Sequence, residues 1–269
     1  MKLSSLIVVI LGAARQSNAF VKPSSRSVKN GINTQNTKKI ATSSGLSSVR
    51  GGTSLEMTAS SSLITNFVPK LGIFTSTLLY FSPFSSVRKA VSMETLNDLN
   101  PIPLAIMAIS SISWLVYGLS VRDPFVTLSN VPGSIASIYY VIAILPLLKG
   151  KQLQTTQNII LLLSAITINL WTWLALKKSV EQVSAALGLF ASALFIVLSG
   201  SPLSTIKTVL STKNSKSILA QLTFAQITNT SLWTAYGLAI KDKFVYGPNL
   251  TGLAFGLIQL VLKLVFPSK

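Results

Sequence analysis

Trp114 and Trp233, like Asn130 and Asn249, are identical residues set 119 positions apart. An asparagine side chain presents one carbonyl acceptor and two amide donors, the mixture that hydroxyl groups need. An indole presents a broad apolar face, on which the C–H face of a sugar ring can stack, and one N–H donor. Two of each, brought together, would line a small pocket for an uncharged polyol or sugar. Singly, each has a plainer explanation. A tryptophan can belong to an interfacial belt. An asparagine can bind helix to helix, a role that Asn169 and Asn229 also fit. The matched placing of both types favours the pocket.

Other chemistries lose their parts. The chain has no Cys, no His and only six acidic residues. That removes thiolate nucleophiles, histidine bases, disulfides and zinc clusters, so no catalytic residue, metal site or cofactor is expected, and the protein is not expected to be an enzyme. Asp123 and Asp242 sit in short turns between apolar runs, and no Asp, Glu or His falls near the middle of one. Ion-coupled carriers generally need an ionisable group or a cation cage inside the membrane. Its absence points to passive movement of a neutral solute.

The elements that must hold these residues are membrane helices. Hydrophobic residues make up 49% and charged residues 11%, against about 25% charged in soluble domains. Apolar windows fall near 64–82, 101–119, 126–148, 157–176, 184–200, 218–238 and 248–266. The first contains Pro69 and Lys70, and the sixth is rich in Gln, Thr and Asn. A 119-residue shift rescues both. It lays Ser82-Pro83 on Ser201-Pro202, Tyr117-Gly118-Leu119 on Tyr236-Gly237-Leu238, Asp123 on Asp242 and Gly133 on Gly252, with nine of twenty positions identical over 114–133. Chance gives about one in twenty, so the chain is duplicated. The expected fold is an all-α membrane protein of seven helices, 3 + 1 + 3. Four crossings separate equivalent helices, so the two three-helix repeats are parallel. The first repeat is expected at 64–148, a linker helix at 149–180 and the second repeat at 181–269.

Helix breakers stand beside both asparagines, in Asn130-Val131-Pro132-Gly133 and Gly247-Pro248-Asn249. Proline removes a backbone donor and kinks a helix, which a membrane tolerates where the freed carbonyl meets a cavity. Gly252 and Gly256 form a GxxxG pattern expected to bring helices close.

The first 55 residues hold eight basic and no acidic residues. Lys2 and an apolar run over 3–14 read as a signal peptide ending at Ala19, too short to span a bilayer. The Ser-, Thr- and Lys-rich stretch over 20–60 then reads as a transit peptide. In series, with Phe20 after the cleavage point, they resemble the bipartite presequence of diatom-type plastids, which implies a plastid envelope; a plain secretory signal would lead to the plasma membrane or an endomembrane. Later positive charges stand singly or in pairs between apolar runs, unlike a nucleic-acid surface. Nine basic residues on one set of loops against six on the other put the C-terminus on the cytosolic or stromal side.

Taken together, Ser-Pro near the end of the first span of each repeat, W-x-x-Y-G-L closing the second, and D-x-F-V with N-x-x-G opening the third resemble the SWEET sugar transporters over residues 67–266. The resemblance implies bidirectional facilitated diffusion of sugars by alternating access. It assigns sugar contact to Asn130 and Asn249, packing on the sugar to Trp233 and Trp114, and hinge roles to Pro83, Pro103 and Pro202, with Leu219 at the usual fourth hinge proline. A bulky Trp114 opposite Trp233 favours monosaccharides. The expected partners are a neutral sugar and the bilayer, with a homo-oligomer left open and no nucleic acid. A carrier of another small neutral solute, or a non-transporting membrane scaffold, are the alternatives. Uncoupled movement carries its own test. Flux into liposomes is expected to be the same with and without an inward proton gradient, and strong stimulation by that gradient would contradict it.

Overall fold

The computed structural model describes residues 62–96, 99–176 and 179–268. The segments read above as signal and transit peptides lie outside the described residues. A π-helical turn (Leu63–Phe67) leads into α1 (Val68–Phe81), followed by α2 (Phe84–Ser92), α3 (Pro101–Val121) and α4 (Pro124–Ile144). Next comes α5 (Gly150–Ala175), and then α6 (Val180–Leu198), α7 (Gly200–Thr212), α8 (Ala220–Ala239) and α9 (Lys243–Val265). Among the described residues there is no strand.

Six helices close into a ring. In order around it, α1 packs on α4, α4 on α3, α3 on α6, α6 on α9, α9 on α8, and α8 on α1 again. The linker helix α5 packs outside, against α3. Each repeat thus places its third helix between its first and second, and the repeats meet twice in equivalent ways. The burial pattern is that of a membrane protein turned polar side in. Along α4, Ser134 and Ser137 are buried while Ile135 and Ile142 are each 66% exposed. On α3, Ser110, Ser111 and Ser113 are all buried.

By length and composition five described segments are long and apolar enough to cross a membrane: Pro101–Val121, Pro124–Leu147, Gly150–Ala175, Val180–Thr212 and Lys243–Val265. α1 and α8 fall short by that measure, yet both sit in the ring. The polarity of α8 is turned inward: Thr223, Thr230 and Thr234 are buried. α3 runs to Val121 and α8 to Ala239, so Trp114 and Trp233 lie two turns inside their helices. The apolar windows stop at 119 and 238, just short of these helix ends, because the polar residues that follow lower the hydropathy without ending the helix. Likewise α4 starts at Pro124 and α9 at Lys243, so both asparagines lie well inside.

The helices also run through their prolines. Pro132 lies within α4 and Pro248 within α9. Pro248 leaves the Phe244 carbonyl without its intrahelical donor, and the Ser192 hydroxyl supplies one at 3.3 Å. The interruptions lie elsewhere, between α1 and α2 at Ser82-Pro83 and between α6 and α7 at Ser199. There the Tyr140 hydroxyl donates to the Tyr80 carbonyl (2.9 Å), and Gln259 Nε2 donates to the Pro202 carbonyl (3.3 Å). Tyr140 and Gln259 are themselves one repeat interval apart. Pro103 stands third in α3, where a missing N–H costs little. Both the repeat interval and the helix position make its mate Leu222, third in α8; Leu219 is the residue that caps that helix.

The two short turns, α3–α4 and α8–α9, lie at one end of the ring, here the turn face. The two breaks lie at the other, the proline face. A core that includes Trp114, Tyr117, Val126, Leu187, Trp233, Tyr236 and Val245 draws on both repeats and lies toward the turn face. Toward the proline face each repeat keeps a core of its own, around Val87, Leu104, Tyr140 and Ile144 in the first and Val209, Ile218 and Leu262 in the second.

Each tight turn depends on a glycine. A Cβ at Gly118 would sit 2.7 Å from the Thr127 nitrogen, and one at Gly237 2.6 Å from the Tyr246 nitrogen. Those are backbone atoms and cannot swing aside. Gly237→Ala is therefore expected to cost about 1–3 kcal/mol, read as a lower unfolding temperature in detergent. Gly247→Ala, where a Cβ meets nothing within 4 Å, is the control and leaves that temperature unchanged or slightly higher.

Candidate binding site

Asp123 and Asp242 begin the site from the turn face. Each carboxylate caps its helix: Asp123 Oδ1 accepts from the Phe125 and Val126 amides at 2.8 and 3.0 Å, and Asp242 Oδ1 from those of Phe244 and Val245 at 2.9 and 3.3 Å. Asp is a favoured N-cap because its oxygen satisfies donors the helix cannot. The second oxygen reaches the other repeat. Tyr117 donates to Asp242 Oδ2 at 2.6 Å, and Tyr236 donates to Asp123 Oδ2 at 2.8 Å. This reciprocal exchange bolts the repeats together above the ring's centre, with Tyr117 against Phe244 and Tyr236 against Phe125 edge-on.

Beneath it lies a cavity of about 80 Å³. Asn130 and Asn249 line it from α4 and α9, and Trp114 and Trp233 from α3 and α8. The four residues singled out by the repeat therefore meet in one place, all buried. Val126 and Val245, also a repeat pair, sit beside them. No charged side chain lines the cavity. Pro83, Pro103 and Pro202 are not among the lining residues; they stand toward the proline face.

The remaining lining residues break the symmetry, and identity between repeats could not reveal them. Ser76 and Tyr80 of α1 correspond to Phe195 of α6 and to Ser199 just beyond its end, and Asn229 of α8 corresponds to Ser110 of α3. Trp233 donates its indole N–H to Ser76 Oγ at 2.9 Å, and Ser76 donates to Asn229 Oδ1 at 2.8 Å. Thr75 donates to the same oxygen, also at 2.8 Å. Asn229 is thus a tie between helices. Asn169, the other asparagine considered for that role, is exposed and folds back on the Ala165 carbonyl of its own helix. Trp114 has no equivalent of Ser76: its indole nitrogen is buried without a partner, as are those of Trp171 and the hydroxyl of Thr234.

The asparagines differ too. Asn130 Nδ2 donates to the Val126 carbonyl (2.8 Å) and to Ser129 Oγ (3.1 Å), while its oxygen accepts from Tyr80 at 2.8 Å. Asn249 Nδ2 donates to the Val245 carbonyl at 2.8 Å, in the same way. Its oxygen receives no hydrogen bond among the described residues.

With its fold and cavity described, the chain can be set beside known proteins. The family described as "Sugar efflux transporter for intercellular exchange" matches residues 66–152 and 185–269. The rat protein named sugar transporter SWEET1 is 27% identical over 199 residues, covering 74% of this chain and 87% of that one. The Arabidopsis thaliana bidirectional sugar transporter SWEET7 is 28% identical over 211 residues, covering 74% of this chain and 80% of that one. The fold matches the solved structure of a eukaryotic SWEET transporter with a TM-score of 0.68, over 75% of this chain and 96% of that one, at 18% identity.

The cross-repeat bolt ties the two repeats together at the turn face, so removing it should loosen that side. The chain has no cysteine, so a Ser129→Cys variant carries one reporter in the cavity. A hydrogen bond to a carboxylate contributes about 1.5–3 kcal/mol. Tyr117→Phe with Tyr236→Phe is therefore expected to raise maleimide labelling of that cysteine from the turn face by about tenfold or more. An unchanged rate would show that the bolt does not hold the face shut.

Proposed function

We infer that this chain, which belongs to the SWEET family of sugar transporters, carries sugars across a membrane by facilitated diffusion in either direction. The carrying observation is the cavity between the repeats, lined by repeat-matched asparagines and tryptophans and by no charged side chain. Amide groups exchange hydrogen bonds with hydroxyls, and indole faces take the apolar side of a ring. Nothing in the lining holds an ion or a proton to be carried along, which fits uniport. We assign sugar contact to Asn130, Asn249, Trp114 and Trp233. The small cavity and its paired indoles favour a monosaccharide.

The cycle follows from the distribution of cores. With the repeats bolted at the turn face and separately cored at the proline face, the described state is closed on the first side. Rocking the repeats about their shared core would close the proline face and break the bolt at the other, exposing the same cavity in turn. The breaks beside Pro83 and Pro202, and the first turn of α3 at Pro103, are the places assigned to bending. The basic bias of the loops supports a proline face in the cytosol or stroma. Together with the leading segment's composition it supports an envelope membrane of a complex plastid as the site of action.

Uptake of labelled glucose, fructose and sucrose into liposomes tests this directly. Saturable uptake without an ion gradient is expected, with flux lost in Asn249→Ala although the variant inserts and folds. Wild-type rates from Asn249→Ala would overturn the site; no uptake of any of the three by folded protein would move the weight to another neutral solute or to a scaffold.

A further inference from the structure

The repeats bring two asparagines to the cavity, but the first repeat also brings a phenol that the second lacks. Tyr80 is held at every point. Its ring lies over Gly133, where a Cβ would come within 2.5 Å of ring carbons. Its hydroxyl donates to Asn130 Oδ1 at 2.8 Å, and its backbone carbonyl receives the Tyr140 hydroxyl. At the equivalent place in the second repeat stands Ser199, whose hydroxyl turns back to the Phe195 carbonyl at 3.0 Å. The Asn130 amide therefore has its nitrogen on Val126 and Ser129 and its oxygen on Tyr80. An amide oxygen has a second lone pair, so Asn130 still touches a sugar in the cavity, but its amide is pinned at both ends and does not present its carbonyl as Asn249 does. The Asn249 oxygen meets the same cavity without any such partner.

Resting on the sugar-transport reading above, we propose that Tyr80 makes the pocket one-sided: it withholds the Asn130 carbonyl, leaving Asn249 Oδ1 as the amide oxygen that accepts a substrate hydroxyl. Tyr80 is a positioning residue acting through Asn130, and it sets specificity by allowing one hydroxyl of the sugar, not two interchangeable ones, to dominate recognition. The indole pair departs from symmetry in the same sense. Trp233 has its N–H on Ser76, while the Trp114 N–H has no acceptor because Phe195 occupies the matching place. A ring entering this cavity meets different groups on its two sides and takes one orientation.

The test uses the whole chain in liposomes, with labelled glucose as substrate and the unlabelled monodeoxyglucoses as competitors. In the wild type, removing the dominant hydroxyl should weaken competition by about tenfold while the other deletions matter little. Tyr80→Phe deletes only the hydroxyl, and it is expected to narrow that spread to about threefold or less. With Asn130→Leu, the spread should be the same whether residue 80 is Tyr or Phe. Sugar-induced rise in unfolding temperature gives the same comparison for any variant whose flux is too low. An unchanged spread in Tyr80→Phe, or an equal effect of that substitution with Asn130→Leu, overturns the proposal alone. Absence of saturable sugar flux or binding in the wild type overturns the transport reading, and this inference with it.

Discussion

The exchange of Tyr117 with Asp242 and of Tyr236 with Asp123 is the interaction on which the rest of the structure depends. Each carboxylate does two jobs, capping the helix that begins beside it and accepting a hydroxyl from the opposite repeat. An acid taken out of water, fully at Asp123 and in part at Asp242, needs donors in its place. Capping alone would leave one oxygen of each carboxylate bare, and the phenol alone would leave the helix ends bare. Because both requirements meet at one side chain, the start of α4 and of α9 is fixed relative to the other repeat. The asparagines, a little under two turns farther along those helices, are fixed with them.

Much of this was legible as a repeat. Trp114, Asn130, Asp123, Gly118 and Tyr117 each have an identical mate 119 positions on, and each occupies a place where both copies need the same physics. A glycine stands where two backbones touch, an acid where a helix starts, an indole where a small cavity needs a wall. Hydropathy served less well at the edges. It ended α3 and α8 too early, and it undervalued α8 because a helix whose threonines face other helices scores like a poor membrane span.

What identity between the copies hides is where they disagree. Ser76 against Phe195, Tyr80 against Ser199 and Ser110 against Asn229 are mismatches, and a search for repeats discards mismatches as noise. In the folded chain Ser76, Tyr80, Phe195 and Asn229 line the cavity, and these mismatches decide which polar groups are occupied. No periodicity could have found Tyr80, since its importance comes from a partner fifty residues away on another helix. The signal available beforehand was indirect: a paired glycine at 133 and 252, of which the first lies tight under the Tyr80 ring and the second meets Thr230 first and the Phe195 ring at a looser 3.5 Å. Covalent joining of the repeats is what permits this division of labour, because two copies in a single chain are free to diverge where two identical chains are not.

The breaks at the proline face differ in mechanical character. At the first, the supporting group is the phenol of Tyr140, a rigid ring with two rotatable bonds, fully buried and 2.9 Å from the carbonyl it braces. At the second it is the amide of Gln259, a flexible arm at 3.3 Å that also lies 3.5 Å from the hydroxyl of Thr223. One joint is thus strutted and the other sprung. A bend at the first break has to give up a short bond from a rigid ring, whereas a bend at the second gives up a longer bond from a flexible arm.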